Sequence, residues 1–569
     1  MRRNPAGTFT FALVIVIAAW MGACVSSEAC TVIAVGKDAS ADGSVIVSHA
    51  NDAMRDFRIV RVPGGVPASG SLRPVYYDTP AMGYLTQYGG VPYLRYVGVD
   101  RGPTYDTGQK PNIALGSIPQ VARTHAYYEG TYPIMNEHQV SIGETTCQSK
   151  VTSLPEPGRR IFYSADLARV VLERCDNARD GVTLIGRLID AYGYYGTGEA
   201  LVVADKREAW VVEMCGYDKD GTDGLWVAKR IPDDGVFVSA NQFRIREVEK
   251  QSSDMLYSAN LFEVCQRLGW WDPAEGPLDW LRAVSSGESL HPYSSLRRVW
   301  RLFSLISPSA GYSPKVESWD TTAYPFSVKP DHKLTVAEVM ALHRDVYQGT
   351  DFDMTAGLAA GAFGDPTRYD VQNNVPIAGA FERALSSYRC NYVEVTQSRD
   401  WLPDLIGGRI WVGLNEPDRN CFMPLHVGAT RVATTLDHGD LMHLDLTCAW
   451  WVFRLVWDAV GRRYDVAIQD LRSLQERLES DSFGLAANAE LVALGRWQRG
   501  NRPGCAAALT QFDASRTKTI VDAWTGLWAR LQVKYLANYT ADDEGNLSKM
   551  GYPIGWLKGV GYEDGPVKY

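Results

Sequence analysis

The chain has 569 residues, 46% of them hydrophobic and 22% charged. That composition excludes disorder as the dominant state and supplies a core without metals or disulfides. With 57 Lys and Arg against 66 Asp and Glu, the net charge is −9. This argues against a protein built to grip nucleic acid.

In chain order, Arg2 and Arg3 precede an apolar run from Phe9 to Ala19. The run reads as an export signal and is too short for a membrane span, and no later stretch is long enough for one. Ser27-Glu28-Ala29 offers small residues at the two positions that signal peptidase reads, so cleavage after Ala29 leaves Cys30 first. A rival reading takes Met21-Gly22-Ala23-Cys24 as a loose lipobox without its usual Leu, which makes Cys24 a lipid anchor. Export to the periplasm or the exterior is expected in either case.

Thr31 to Val35 and Val45 to Val47 are apolar runs around a polar turn with Asp42-Gly43, a hairpin pattern. Helices are expected at Ala165 to Cys175 and Gly181 to Tyr192, with capping groups from Asn177 to Asp180. Leu201 to Ala204, Ala209 to Met214, Leu225 to Ala228 and Gly235 to Ala240 read as strands, with Asp205-Lys206-Arg207 as a turn. Ser307 to Pro330 is Pro- and Ser-rich and reads as a surface excursion. Trp and Leu at helical spacing from Cys448 to Leu494, and again from Val521 to Leu536, predict long amphipathic helices whose aromatics form core. The expected organisation is a signal at 1–29, a core at 30–440 and a helical extension at 441–569.

The ten cysteines have long, irregular spacings with no C-x-x-C. No zinc-ribbon or thioredoxin motif is present, and any disulfide pairing is left open. No cofactor and no metal are expected. Asp437, His438, Asp440, His443 and Asp445 fit no standard metal spacing and read as a solvated loop.

Cys30 as a first residue carries its own base. An α-amine titrates near ~7.7–8.0 and a thiol near ~8.5, so the amine can accept the thiol proton before the sulfur attacks a carbonyl. The hairpin that begins there and the cluster His49, Asn51 and Asp52 ending its second strand support a nucleophile at this position.

Cys30 to Ser44 resembles the opening of the C69 family of cysteine dipeptidases, related to secernins and more distantly to bile-salt hydrolases and penicillin V acylases. The likeness continues at Ile118-Pro119-Gln120, Met135 to Gln139, Ile142 to Thr146, Gly235 to Glu247, Gln397 to Pro403, Gly551-Tyr552-Pro553 and Gly565 to Tyr569. It implies an α+β fold, the αββα sandwich of N-terminal-nucleophile hydrolases, here with an added C-terminal helical region, and cleavage of dipeptides. By position, Cys30 matches the nucleophile, Asp52 the acid that holds the α-amino group, and Asn241 an oxyanion-stabilising Asn. His49 stands where the wider group has Arg, which puts a fixed positive charge beside the thiolate in doubt or hands it to another Arg. Glu144, with Thr145 beside it, is a candidate for the substrate's α-ammonium. Arg244 is a candidate charge, and His138 reads as a turn residue. The expected partners are small peptides, with homo-oligomerisation left open. Two other functions remain at this stage: an amidase of N-acyl amino acids, bile salts or β-lactam side chains, and a lipid-anchored, non-catalytic binding protein.

Overall fold

The computed structural model describes residues 30–54, 56–77, 114–217, 224–287, 292–315, 324–369, 382–542 and 544–562. Residues 1–29, on which the expected export signal and Cys24 fall, the tail Gly565 to Tyr569 and part of the Ser307 to Pro330 stretch lie outside them. Strands and helices are numbered along the chain.

The hairpin forms as its pattern dictates. β1 (Thr31–Val35) and β2 (Val45–Asn51) are buried throughout and pair antiparallel, Val32 opposite His49. Their turn is closed by Asp42, whose Oδ1 accepts from the Ser44 amide at 3.0 Å and its hydroxyl at 2.6 Å. Gly43 takes a φ of 82°, where a Cβ is disfavoured. β1 and β2 lie inside a seven-stranded antiparallel sheet. Its order is β14 (Ser327–Val328), β12 (Val236–Ser239), β1, β2, β15 (Tyr392–Ser398), β16 (Arg409–Leu414), β17 (Met423–His426).

A second, eight-stranded sheet runs β13 (Met255–Tyr257), β11 (Gly224–Ile231), β10 (Ala209–Gly216), β9 (Gly198–Ala204), β8 (Ser141–Cys147), β7 (Pro133–Asn136), β6 (Tyr127–Glu129), β3 (Val60–Val62). β4 (Leu72–Tyr76) and β5 (Ala114–Pro119) form a separate hairpin. The two sheets meet face to face through Val32, Ala34, Val45 and Val47 on one side and Val202, Ala204 and Val211 on the other. Gly143 sits between the sheets: a Cβ there would lie 3.1 Å from the side chains of both Val32 and Val47.

Helices cover both outer faces. α1 (Ser164–Arg174) and α2 (Ala178–Tyr192) pack Val170, Val171, Ile185 and Ile189 on Trp210 and Val212 of the second sheet. Asn177 caps α2 by accepting from the Asp180 amide at 2.9 Å. α3 (Arg297–Ile306) and α4 (Val336–His343) pack on Ile33, Val35, Val238 and Val393 of the first sheet. The result is an αββα sandwich.

The C-terminal region adds α5 (Ala449–Gly461), α6 (Tyr464–Gln498) and α7 (Arg502–Lys534). They bury Trp450, Phe453, Leu471 and Trp524 against Ile410, Val412 and Leu425. The aromatics are core, and Phe453 stacks on Trp524 at 5.2 Å. Two boundaries differ from the sequence pattern. The stretch from Cys448 to Leu494 is broken after Gly461. The second helix starts at Arg502, well before Val521, because its first turns bury small residues such as Cys505 where the pattern sought Trp and Leu. Asn501 caps it, accepting from the Gly504 amide at 2.9 Å, and Pro503 fits its first turn.

A buried ionic network ties this layer to β17. His426 meets Asp513 of α7 at 2.7 Å and Glu490 of α6 at 3.1 Å, and Glu490 pairs with Arg399 at 2.6 Å. No helix among the described residues is long and apolar enough to cross a membrane. The nine described cysteines are all buried.

Candidate active site

Cys30 lies at the head of β1, fully buried. The β1–β2 register puts His49 opposite Val32, and the β2–β15 register puts Glu394 opposite His49. His49 Nδ1 is 3.0 Å from Glu394, and its Nε2 is 3.5 Å from Glu144 of the facing sheet. The Cys30 sulfur, a His49 ring nitrogen and a Glu144 oxygen all lie within 4.8 Å of one another. β7 and β8 pair at Met135 and Ser141, and β8 then continues along β9 through Cys147. Glu144 lies on this onward stretch. It accepts from the Thr146 hydroxyl at 2.9 Å. Glu199, opposite Thr146 on β9, accepts from the Tyr163 hydroxyl.

Charge in this cluster follows from its partners. Burial alone would depress His49, but the Glu394 carboxylate and the nearby Glu144 carboxylate outweigh it and carry the imidazole up to about 10. His49 is therefore a cation at neutral pH. Burial would raise Glu144, yet hydrogen bonds with His49 and Glu199 hold it below the usual carboxylate range. Glu394 is raised by burial against the pull of His49.

Asp52 follows β2. Its Oδ2 accepts from Arg383 at 2.8 Å, while its buried Oδ1 has no hydrogen-bond partner. Burial raises its pKa, opposed by Arg383 and Arg298.

Asn241 comes just after β12 with a φ of 61°, a left-handed conformation that Asn tolerates better than most residues. Its Nδ2 donates to the Thr146 carbonyl at 2.8 Å, and its Oδ1 accepts from Arg298 at 2.8 Å. Arg298 of α3 also donates to the Cys30 carbonyl at 2.9 Å, the Thr31 hydroxyl at 2.8 Å, the Ala240 carbonyl at 3.2 Å and the Ser294 carbonyl at 2.9 Å. One guanidinium thus fixes the nucleophile's backbone and the orientation of the Asn241 amide together.

The other predicted residues lie around this centre. The Thr145 hydroxyl bonds Ser239 at 2.8 Å, which links the two sheets. The contacts of Arg244 run to the Pro325 carbonyl, the Phe303 ring and Glu213, not to Cys30, His49 or Glu144. His138 occupies the β7–β8 turn. The loop around His438 and His443 is largely exposed, with His443 on Asp440 at 2.9 Å and His438 on Asp445 at 3.2 Å.

Sequence reasoning missed Glu394, Arg298 and Arg383. Glu394 carries a signal, a lone acid in the otherwise apolar strand start Tyr392 to Val395. Arg298 carries none, since Arg297 and Arg301 look alike in sequence. Among the described residues, two clusters have the donors to hold a metal ion: Cys30 with His49 and Glu144, and His125 with Glu137 and His138.

Two face-to-face sheets between helical layers, with a buried thiol heading an inner strand, define a four-layer α+β sandwich with a thiol at its centre. Peptidase family C69 matches residues 124–477. The chain belongs to that family, and it is a peptide-bond hydrolase. Similar proteins include a probable dipeptidase of Salmonella dublin, 24% identical over 73% of this chain and 84% of the relative. A probable dipeptidase A of Streptococcus pyogenes serotype M3 is 25% identical over 82% of this chain and 90% of its own. A solved penicillin V acylase of Agrobacterium tumefaciens is 10% identical with a TM-score of 0.28, covering 70% of this chain and 86% of its own.

Proposed function

We propose that the protein is an exported dipeptidase in which Cys30, freed by removal of residues 1–29, is the nucleophile. The observation that carries this reading is the buried Cys30 thiol beside a charged His49, with the unpartnered Oδ1 of Asp52 and the Arg298-held amide of Asn241 around the same strand end.

The steps balance as follows. The Cys30 α-amine takes the thiol proton, and His49 and Arg298 favour the thiolate. The sulfur attacks the peptide carbonyl carbon, and the Asn241 amide and backbone N–H groups stabilise the oxyanion. Collapse breaks the C–N bond, and the α-ammonium returns its proton to the departing amine. Water, deprotonated by the freed α-amine, then hydrolyses the thioester and releases the acid product and the thiol. Asp52 orients the α-ammonium through its unpartnered oxygen.

Two buried carboxyl groups, Glu144 and Glu394, flank the imidazolium of His49. Glu144, held towards its charged form, suits the α-ammonium of a dipeptide as its binding carboxylate. It disfavours N-acylated substrates, which lack that charge. The names of the relatives, dipeptidases, agree with this choice.

The test is N-terminal sequencing of active material alongside a panel of dipeptides and their N-acetyl derivatives. The expected result is a chain beginning at Cys30 that cleaves free dipeptides in strong preference. Active material that begins elsewhere removes the proton acceptor and overturns the mechanism. Preference for the N-acyl series overturns the substrate.

A further inference from the structure

A second cluster lies away from Cys30, where the β7–β8 turn meets the end of α1. His125 and His138 face each other edge to face, with ring centroids 4.3 Å apart. His125, Glu137 and His138 each offer a ligand atom, and these atoms lie within 4.8 Å of one another. Asp176 approaches both rings, its Oδ1 2.9 Å from His125 Nε2 and 3.7 Å from His138 Nε2. Glu137 is 3.9 Å from His125 Nδ1. The far side of His138 faces Asp404 at 3.7 Å, and Lys206 neutralises that carboxylate at 2.5 Å.

The backbone holding these groups is fixed by an unusual number of bonds. Asn136 donates to the Leu172 and Cys175 carbonyls at 3.0 and 2.9 Å, and its Oδ1 accepts from the amides of His138 and Val140. One side chain therefore clamps the turn bearing Glu137 and His138 to the end of α1, just ahead of Asp176. The His125 amide donates to the Glu173 carbonyl at 2.9 Å, and the Glu137 amide to the Ala126 carbonyl at 2.9 Å. Glu137 also accepts from the Ala126 amide at 3.2 Å. Gln139 completes the turn with a φ of 69°. His125 Nδ1 is buried without a hydrogen-bond partner.

We propose that His125 and His138, with a carboxylate from Glu137 or Asp176, bind one divalent transition-metal ion of the zinc type. Donors bound at ~2.0–2.2 Å in a tetrahedron lie roughly 3.3–3.6 Å apart. In the Glu137 set the ligand atoms lie within 4.8 Å of one another, with Glu137 3.9 Å from His125 Nδ1. In the Asp176 set its Oδ1 lies 2.9 and 3.7 Å from the Nε2 atoms of His125 and His138, so either set needs only small shifts to close on an ion. Two imidazoles with carboxylate select Zn²⁺, Co²⁺, Ni²⁺ or Cu²⁺ over Ca²⁺ and Mg²⁺, which prefer oxygen alone. The partly exposed rim leaves solvent to fill the remaining position. The ion pins the β7–β8 turn to the end of α1, upstream on the same strand as Glu144, and takes no part in the peptidase reaction proposed above.

The experiment uses Cys30→Ser protein, which removes the thiolate from the other candidate cluster, after dialysis against a chelator. Zn²⁺ is titrated by calorimetry and Co²⁺ by absorption. The expected result is one equivalent bound, d–d bands without a sulfur-to-cobalt charge-transfer band, and a higher melting temperature with metal. His125→Gln/His138→Gln in the same background loses that equivalent while its metal-free melting temperature stays near the parent's. His138→Asn, at a half-exposed turn position, serves if the double variant fails to fold, and binds at least about tenfold more weakly. No bound equivalent in the parent, or one that survives in these variants, overturns the site.

Discussion

Arg298 and Asn241 make the sharpest test of the catalytic geometry. Arg298→Met removes five donor contacts at once, to Cys30, Thr31, Ala240, Asn241 and Ser294. Each buried acceptor left unpaired costs ~1–3 kcal/mol, so the sum approaches a whole fold's stability of ~5–15 kcal/mol and that variant is expected to unfold. Arg298→Lys is the informative change, because it keeps a charge but cannot hold Asn241 and Cys30 with one rigid fork. The Asn241 amide then loses the contact that sets its orientation. Loss of one oxyanion donor costs about 10²- to 10³-fold in turnover, or ~2.7–4 kcal/mol, which bounds the effect of misdirecting it. Asn241→Gly removes the amide outright and still suits the φ of 61°. Dipeptide hydrolysis by both single variants and the double variant, with melting temperatures recorded for each, gives a thermodynamic cycle. If Arg298 acts through Asn241, the double variant loses at least about tenfold less than the product of the singles, a coupling of ~1.4 kcal/mol or more. Singles that add to within about 0.5 kcal/mol would refute the reasoning.

Further outcomes are expected. Cys30→Ala abolishes turnover with an unchanged circular-dichroism melt; residual turnover at the wild-type level removes Cys30 as nucleophile. The raised pKa of His49 stabilises the fold fully below about 6.5, and the contribution is lost as pH rises through about 10. The urea-stability gap between wild type and His49→Gln should therefore narrow across that window, and a constant gap contradicts a charged His49. Asp513→Ala strips the partner from His426 Nδ1 and the His426 amide while Glu490 stays on Nε2, and lowers unfolding free energy by ~1–3 kcal/mol in denaturant titration; a loss below ~0.5 kcal/mol counts against the network. Gly143→Val forces the two sheets apart and costs ~1–3 kcal/mol or more in the same assay.

What could be read from the sequence was local. The β1–β2 hairpin announces itself through two apolar runs around Asp42-Gly43, and Cys30, His49 and Asp52 sit on that one hairpin. α1 and α2 follow from periodicity and the Asn177 cap. The charge state of His49 depends on Glu394, 345 residues away, and only strand register brings the two together. Arg298 reaches Cys30 from α3, and nothing in its local sequence separates it from Arg297. The helix boundaries failed where small residues replaced large ones at the helix–sheet contact, as at Cys505, because pattern reading follows bulky side chains.

Among the described residues, the strands bordering the two sheets are all short: Ser327–Val328 and Met423–His426 on one, Met255–Tyr257 and Val60–Val62 on the other. A long bare border would invite strands from other molecules to add on and seed aggregates. With borders of two to four residues, and the helices α6 and α7 pinned to Met423–His426 through His426, the fifteen described strands of the two sheets end on short lengths of hydrogen-bonding rim, which gives misassembly little to start from.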